Sequence, residues 1–172
     1  MLDREGNLYI TEYHKTTVLK IAPDGTVTSV VDTGFKNNGL LFDSSGNLYI
    51  VCWNGKRILK YDTEGDLSLV TATSGGDSLN GPNDLVWGSG NRIYFTDPTG
   101  THINNPVGAV RYIDTDGRTK LFAGGLAYPN GLVFNRDKTY LYVGDNGRFR
   151  ILRYIINPDG SSGGYEVFYV FE

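Results

Sequence analysis

Three asparagines occupy corresponding places in the chain: Asn38 in NNGLLFD, Asn83 in PNDLVWG and Asn130 in PNGLVFN. Carboxamide oxygens, with neighbouring carboxylates such as Asp84, are ligands for a hard cation. Calcium suits them best, because it accepts several such oxygens in a flexible shell. One Pro-Asn or Asn-Gly pair is an ordinary turn former and carries no chemistry. Three at the same place in a repeat, two of them Pro-Asn, point to ligation instead. His14 and His102 lie in loops where an imidazole serves as a general base near neutral pH or simply as a surface residue. Other catalytic patterns are missing: there is no G-x-S-x-G elbow and no Cys/His spacing for zinc. Cys52 is the single cysteine, beside Trp53 at the end of an apolar run, and reads as a small core residue.

The elements that must position these asparagines are strands of an internal repeat. Gly6-Asn7-Leu8-Tyr9-Ile10 recurs as Gly46-Asn47-Leu48-Tyr49-Ile50, with looser copies around Tyr94 and Tyr142, so the aligned tyrosines stand 40, 45 and 48 residues apart. An apolar inner strand precedes three of the four tyrosine strands: GLLFD, DLVWG and GLVFN. Two more strands follow each, the first ending in an acidic turn such as Asp24-Gly25 or Glu64-Gly65. No segment holds a helical period, and four antiparallel strands repeated at about 40–50 residues are the signature of propeller blades. The expectation is an all-β, β-propeller chain with blades at about 1–34, 35–76, 77–125 and 126–172, forming one domain or part of one.

The first unit begins at its tyrosine strand, with only Met1 and Leu2 left of an inner strand, so 15 strands are expected rather than 16. An unpaired inner edge favours pairing with another segment. The chain is therefore read either as part of a six-bladed propeller or as one closed by homo-oligomerisation. In a meander around an axis, the loops entering strand 1 and joining strands 2 and 3 share one face. That places Asn38, Asn83, Asn130, Asp97 and the loop after it, and Asp145 to Arg148 at one mouth of the central channel. Arg148 there would hold a substrate carboxylate or hydroxyl, or sit in a solvated loop.

SLNGPNDLVW…RIYFTDPTG, YPNGLVFNRDKTYLYVGDNG and NNGLLFDSSGNLYIVCWNGKRILKYD resemble the regucalcin/gluconolactonase (senescence marker protein) family over nearly the whole chain. The resemblance implies a six-bladed propeller with one divalent metal (calcium, or zinc or magnesium) in its channel, hydrolysing lactones of sugar acids or related esters. It implies Asn130 and Asn83 as metal ligands, with Asn83 also able to contact substrate. Asn38, Asp97 and Arg148 line the substrate mouth on the same reading. It further implies two acidic ligands outside the chain: a glutamate of an EGP motif before its start, and an aspartate of a later Asp-Gly motif beyond Glu172. Neutral amides alone would then hold calcium weakly, and activity of the chain by itself is in question.

A non-catalytic propeller scaffold of the NHL or strictosidine-synthase-like kind is the alternative, although such scaffolds need no carboxamides at several inner strand starts. A net charge of −3 without a Lys/Arg cluster gives no footprint for nucleic acid or an anionic membrane. No run approaches the ~18 apolar residues of a spanning helix. Met1-Leu-Asp-Arg-Glu has no signal-peptide pattern, so a native start would leave the protein cytoplasmic.

Overall fold

The computed structural model describes all 172 residues. In chain order the strands are β1 (Leu8–Thr11), β2 (Thr17–Ile21), β3 (Val27–Asp32), β4 (Asn37–Phe42), β5 (Leu48–Cys52), β6 (Arg57–Tyr61), β7 (Leu67–Thr71), β8 (Thr73–Ser74) and β9 (Asp77–Ser78). They continue as β10 (Leu85–Trp87), β11 (Ile93–Asp97), β12 (Gly108–Ile113), β13 (Thr119–Leu126), β14 (Pro129–Phe134), β15 (Tyr140–Asp145), β16 (Arg150–Ile156) and β17 (Ser162–Val170). They form antiparallel meanders β1-β2-β3, β4-β5-β6-β7, β10-β11-β12-β13 and β14-β15-β16-β17, which are the blades of an open, partial propeller. Blade 1 has three strands. Its inner place holds only Met1 and Leu2, where Tyr9 N–H donates to Met1 O at 2.7 Å and Leu2 bridges Leu8.

The strand count misses one feature, the two-stranded ribbon β8–β9 between blades 2 and 3. Gly75 and Gly76 both have positive φ, 64° and 97°, which is what a two-residue hairpin turn requires and what other residues resist. In the sequence the Gly-Gly pair lacks flanking apolar alternation and reads as loop.

The Gly-Asn that opens the tyrosine strands is turn chemistry. Asp43 Oδ1 accepts the N–H groups of Ser45 and Asn47 at 2.9 Å each, and Asn47 Nδ2 donates back to Asp43 Oδ2 at 2.8 Å. Asp3 and Asn7 repeat the arrangement in blade 1.

The core lies between blades rather than within them. Each sheet has a forward face, toward the next blade in chain order, and a rear face toward the previous one. Between blades 2 and 3, Leu41, Val51 and Ile58 meet Leu85, Ile93, Phe95 and Ile113. Between blades 3 and 4, Tyr94, Val110, Tyr112 and Phe122 meet Leu132, Leu141, Val143, Leu152 and Tyr154. Every blade's aligned tyrosine lies on its forward face. Tyr9, Tyr49 and Tyr94 pack edge-on against Phe42, Trp87 and Phe134 of the following inner strand, at centroid distances of 4.9, 5.5 and 5.0 Å. Such pairs add about 0.5–1.5 kcal/mol beyond the burial of area. Polar ties cross the same seams: Tyr94 Oη donates to Gly160 O at 2.6 Å, and Trp87 Nε1 donates to Phe42 O at 2.7 Å.

One ion-pair group sits at the outer part of blade 3. Asp114 accepts from Arg92 Nε at 2.8 Å and from Lys120 Nζ at 2.5 Å. The Lys120 ammonium, the Thr115 N–H and the Arg92 guanidinium hold its carboxyl down at about 2. This folded value lies below that of an unfolded aspartate, so its stabilisation is complete above the unfolded pKa and is lost as pH falls toward 2. Urea titrations should therefore show Asp114→Asn less stable than the unmodified protein at pH 6, with the gap closing by pH 2. A gap that stayed constant over this range would show that the charge on Asp114 is irrelevant to stability.

Candidate functional site

The innermost strands β4, β10 and β14 begin side by side around the axis. Gly39 N–H donates to Asn83 O at 3.0 Å, and a Cβ on Gly39 would stand 2.9 Å from that oxygen and 3.0 Å from Asp84 Cα. Only glycine lets two inner strands approach backbone to backbone at this point. On the other side, Asp84 Oδ2 reaches to 3.9 Å from the place a Cβ would take on Gly131. Asn38-Gly39, Asn83-Asp84 and Asn130-Gly131 thus succeed one another at the same end of three neighbouring strands. Asn83 is fixed there by the ladder to β11: its N–H donates to Thr96 O at 2.9 Å, and Thr96 N–H donates to Asp84 O at 3.0 Å.

The side chains at these starts divide sharply into committed and uncommitted. Asn37, fully buried, is a structural plug: its Nδ2 donates to Thr16 O and its Oδ1 accepts from Thr33 Oγ1, both at 2.8 Å. Its neighbour Asn38 is half-buried, and only its backbone carbonyl is engaged, by Thr11 Oγ1 at 2.8 Å. Asn83 is 8% exposed, yet its amide makes no hydrogen bond to protein, and neither does that of half-buried Asn130. No polar atom of these amides is sealed from solvent without a partner, so they open onto space. Buried polar groups normally find protein partners, and amides left free at a channel end are places for water, ion or ligand.

Asp84 is the carboxylate among them. Burial pushes its carboxyl above the usual range, against the pull of the Leu85 and Leu132 N–H groups. The Leu85 N–H donates to Oδ1 at 2.9 Å.

Two other carboxylates read from sequence as facing the mouth do something else. Asp97, fully buried at the end of β11, accepts the N–H groups of Gly81 at 2.7 Å and Asn80 at 3.0 Å, and Arg111 Nε at 2.8 Å. Asp145, at the end of β15, likewise accepts the Ala127 N–H at 2.7 Å, Arg150 Nε at 2.8 Å and Arg148 Nη1 at 3.2 Å. Each carboxylate staples the loop that enters its own blade's first strand. Of the residues expected at a substrate mouth, Asp97 is engaged by backbone and Arg111, and Arg148 Nη1 by Asp145 and Gly125 O. Position alone does not fix the role, since a carboxylate at a strand end can turn outward or back onto its own loop. The available signal was the arginine on the next strand, Arg111 on β12 and Arg150 on β16. In blade 2 the same place holds Cys52, whose Sγ lies 3.4 Å from Asn37 Oδ1 and whose thiol burial pushes up to about 11.

His14 and His102 sit in exposed loops; His14 packs edge-on to Tyr13 at 4.8 Å, and Tyr13 stacks on Trp53 at 5.1 Å. No three His, Cys, Asp or Glu side chains converge anywhere in the chain. A cation at the strand starts would therefore be held by amides and the single carboxylate of Asp84.

Four antiparallel sheets that succeed one another around an axis in this way define a partial propeller. The profile of the SMP-30/Gluconolactonase/LRE-like region matches residues 66–172, more than half of the sequence, and the chain belongs to that family. Over 90 residues it is 37% identical to a gluconolactonase of Zymomonas mobilis, an alignment covering 47% of this chain and 25% of the relative. A gluconolactonase structure from Xanthomonas campestris superposes with a TM-score of 0.83 at 27% identity, covering 95% of this chain and 59% of that protein. The calcium-binding protein regucalcin from Agrobacterium tumefaciens shares the fold, with a TM-score of 0.78 at 18% identity over 98% of this chain and 57% of that one. The chain thus spans well under two thirds of these relatives.

The division between committed and free side chains is measurable. Asp97→Ala strands the part-buried Arg111 and two N–H groups, and should cost about 3–5 kcal/mol in urea denaturation. Asn83→Ala removes no hydrogen bond and should change stability by less than about 1 kcal/mol.

Proposed function

We propose that this chain carries part of a metal-assisted lactonase site, with Asn83 and Asn130 as ligands to a divalent cation and Asp84 as the anionic group beside them. The observation that carries the proposal is the uncommitted Asn83 amide, held beside Asp84 at a channel end in a member of the gluconolactonase-like family. Oxygen donors alone suit calcium or magnesium rather than zinc, and calcium better tolerates an irregular shell. A bound cation would polarise the lactone carbonyl and stabilise the oxyanion that develops on it. The chain's own residues supply the positioning. The Gly39 N–H bond to Asn83 O holds two strand starts close, and the Asp97 and Asp145 staples fix the loops that lead into Asn83 and Asn130. Asn38 stands at the matching place on the third strand, as a contact for the hydroxyls of a sugar-acid lactone.

With one carboxylate beside the amides, calcium should bind no tighter than roughly millimolar, as in weak sites of low ligand charge. Isothermal titration checks this, and Asn83→Ala or Asn130→Ala should abolish the heat. Hydrolysis of gluconolactone, followed by acid release with and without added calcium, tests the activity. Calcium-stimulated turnover lost in Asn130→Ala supports the assignment. Turnover unchanged by that substitution removes Asn130 from the reaction.

A further inference from the structure

Blade 2 keeps the arginine of the loop staple but not its carboxylate. In blade 4, Arg150 stands across the ladder from Asp145 and its Nε donates to that carboxylate at 2.8 Å; in blade 3, Arg111 Nε donates to Asp97 at the same distance. Arg57 opens β6 across from Cys52, and meets a buried thiol in place of an acid. No other carboxylate replaces the missing one. Arg57 takes part in no ion pair, and Glu12 and Asp32 of the adjoining loops pair with no cation. Blade 2 packs against blade 1 on one side and blade 3 on the other, so this guanidinium is free within an interior repeat.

The free guanidinium is nevertheless held in place. Its Nε donates to Gly55 O of the mouth loop at 2.9 Å, and its Cζ lies 4.3 Å from the centroid of the Phe35 ring. A Cβ on Gly55 would stand 2.5 Å from Phe35 Cδ1, so glycine there lets the ring seat against the loop and support the arginine. Neither Nη atom bonds to protein, and no side-chain nitrogen is sealed off without a partner, so both open to solvent. Lys36 stands on the neighbouring loop. Its N–H donates to Asn54 Oδ1 at 2.6 Å, its carbonyl accepts the Trp53 N–H at 3.1 Å, and its Nζ lies 5.6 Å from the Trp53 ring centroid. It too has no carboxylate partner. Asn37, Cys52 and Arg57 form one row across β4, β5 and β6. At about 4.8 Å per strand, the Arg57 backbone therefore lies ~10 Å from the Asn37-Asn38 strand start. A sugar acid held at Asn38 can meet an arginine side chain across that gap.

We propose that Arg57, with Lys36, forms an oxyanion subsite at the mouth, taking the phosphate or carboxylate of a small ligand whose hydroxyls reach Asn38. A guanidinium fork matches either group through two parallel N–H···O bonds, and its support on Phe35 lessens the freedom lost on binding. On the lactonase reading, on which this step rests, the substrate is a sugar-acid lactone that carries an anionic group away from its ring carbonyl. The subsite itself stands apart from any cation at Asn83 and Asn130.

Heteronuclear nitrogen NMR of the labelled chain, without added divalent cation, reads the Arg57 Nε–H and the Trp53 Nε1–H directly. Titration with phosphogluconate should move both signals saturably, with a Kd in the millimolar range. Arg57→Met keeps an apolar stem on Phe35 but removes the fork, and should weaken binding about tenfold. Lys36→Met should weaken it by less, and far-ultraviolet dichroism would verify that both variants fold. Inorganic phosphate and gluconate, titrated separately, show which oxyanion the fork prefers, and each should bind more weakly than phosphogluconate because neither joins a phosphate to the sugar chain. Signals that stay still, that move equally with chloride, or that respond unchanged in Arg57→Met overturn the subsite. Inorganic phosphate binding as tightly as phosphogluconate overturns its link to a sugar substrate. A chain that binds phosphogluconate at Arg57 yet hydrolyses no lactone keeps the subsite and overturns only the lactonase reading.

Discussion

Everything in this chain depends on apolar packing between successive sheets, of which blades 2 and 3 bury both faces. A twisted four-stranded sheet with one face in water alternates apolar and polar residues. Here both faces of the inner strands are apolar, as in Leu40-Leu41-Phe42 and Leu132-Val133-Phe134. Such a sheet is stable only between neighbours, so the blades stack in order and their first strands converge. The asparagines at those strand starts are brought together as a consequence. No helix, disulfide or long-range loop takes part in assembling them.

Backbone closeness at the axis is the second constraint, and it explains why a glycine follows Asn38. The Gly39 contact with Asn83 and Asp84 leaves no room for a side chain. At the same position in β10's approach stands Asp84 rather than glycine, and its carboxylate fills the space beside Gly131. One residue change between repeats thereby sets a carboxylate among amides. Its raised pKa is the expected cost of burying a charge with few partners, and a cation is the partner that would reverse it.

The sequence made the fold legible because the repeat is written in strand-level signals. Recurrent Gly-Asn before an apolar-tyrosine strand, and acidic Gly turns after the next, fix strand order and direction by local chemistry alone. The site was legible to the level of position and no further. Asn37 and Asn38 are identical in type and adjacent, yet one is consumed by Thr16 and Thr33 while the other is free; only the pleat of β4 distinguishes them. Asp97 and Asp145 stand at the right end of the right strands, but two backbone N–H groups or one, with an arginine, claim their oxygens first. Such competition is decided in three dimensions, where a strand-end carboxylate compares an open channel with a ready-made set of donors.

The exchange of a staple carboxylate for Cys52 in blade 2 has a practical consequence. The thiol is wholly enclosed at the seam between blades 1 and 2, and its high pKa keeps it protonated at neutral pH. Thiolate-selective reagents should pass it by while that seam is shut. The protein therefore carries a built-in reporter for the parting of its first two blades: uptake of a label by its lone sulfur reads how often that seam stands open.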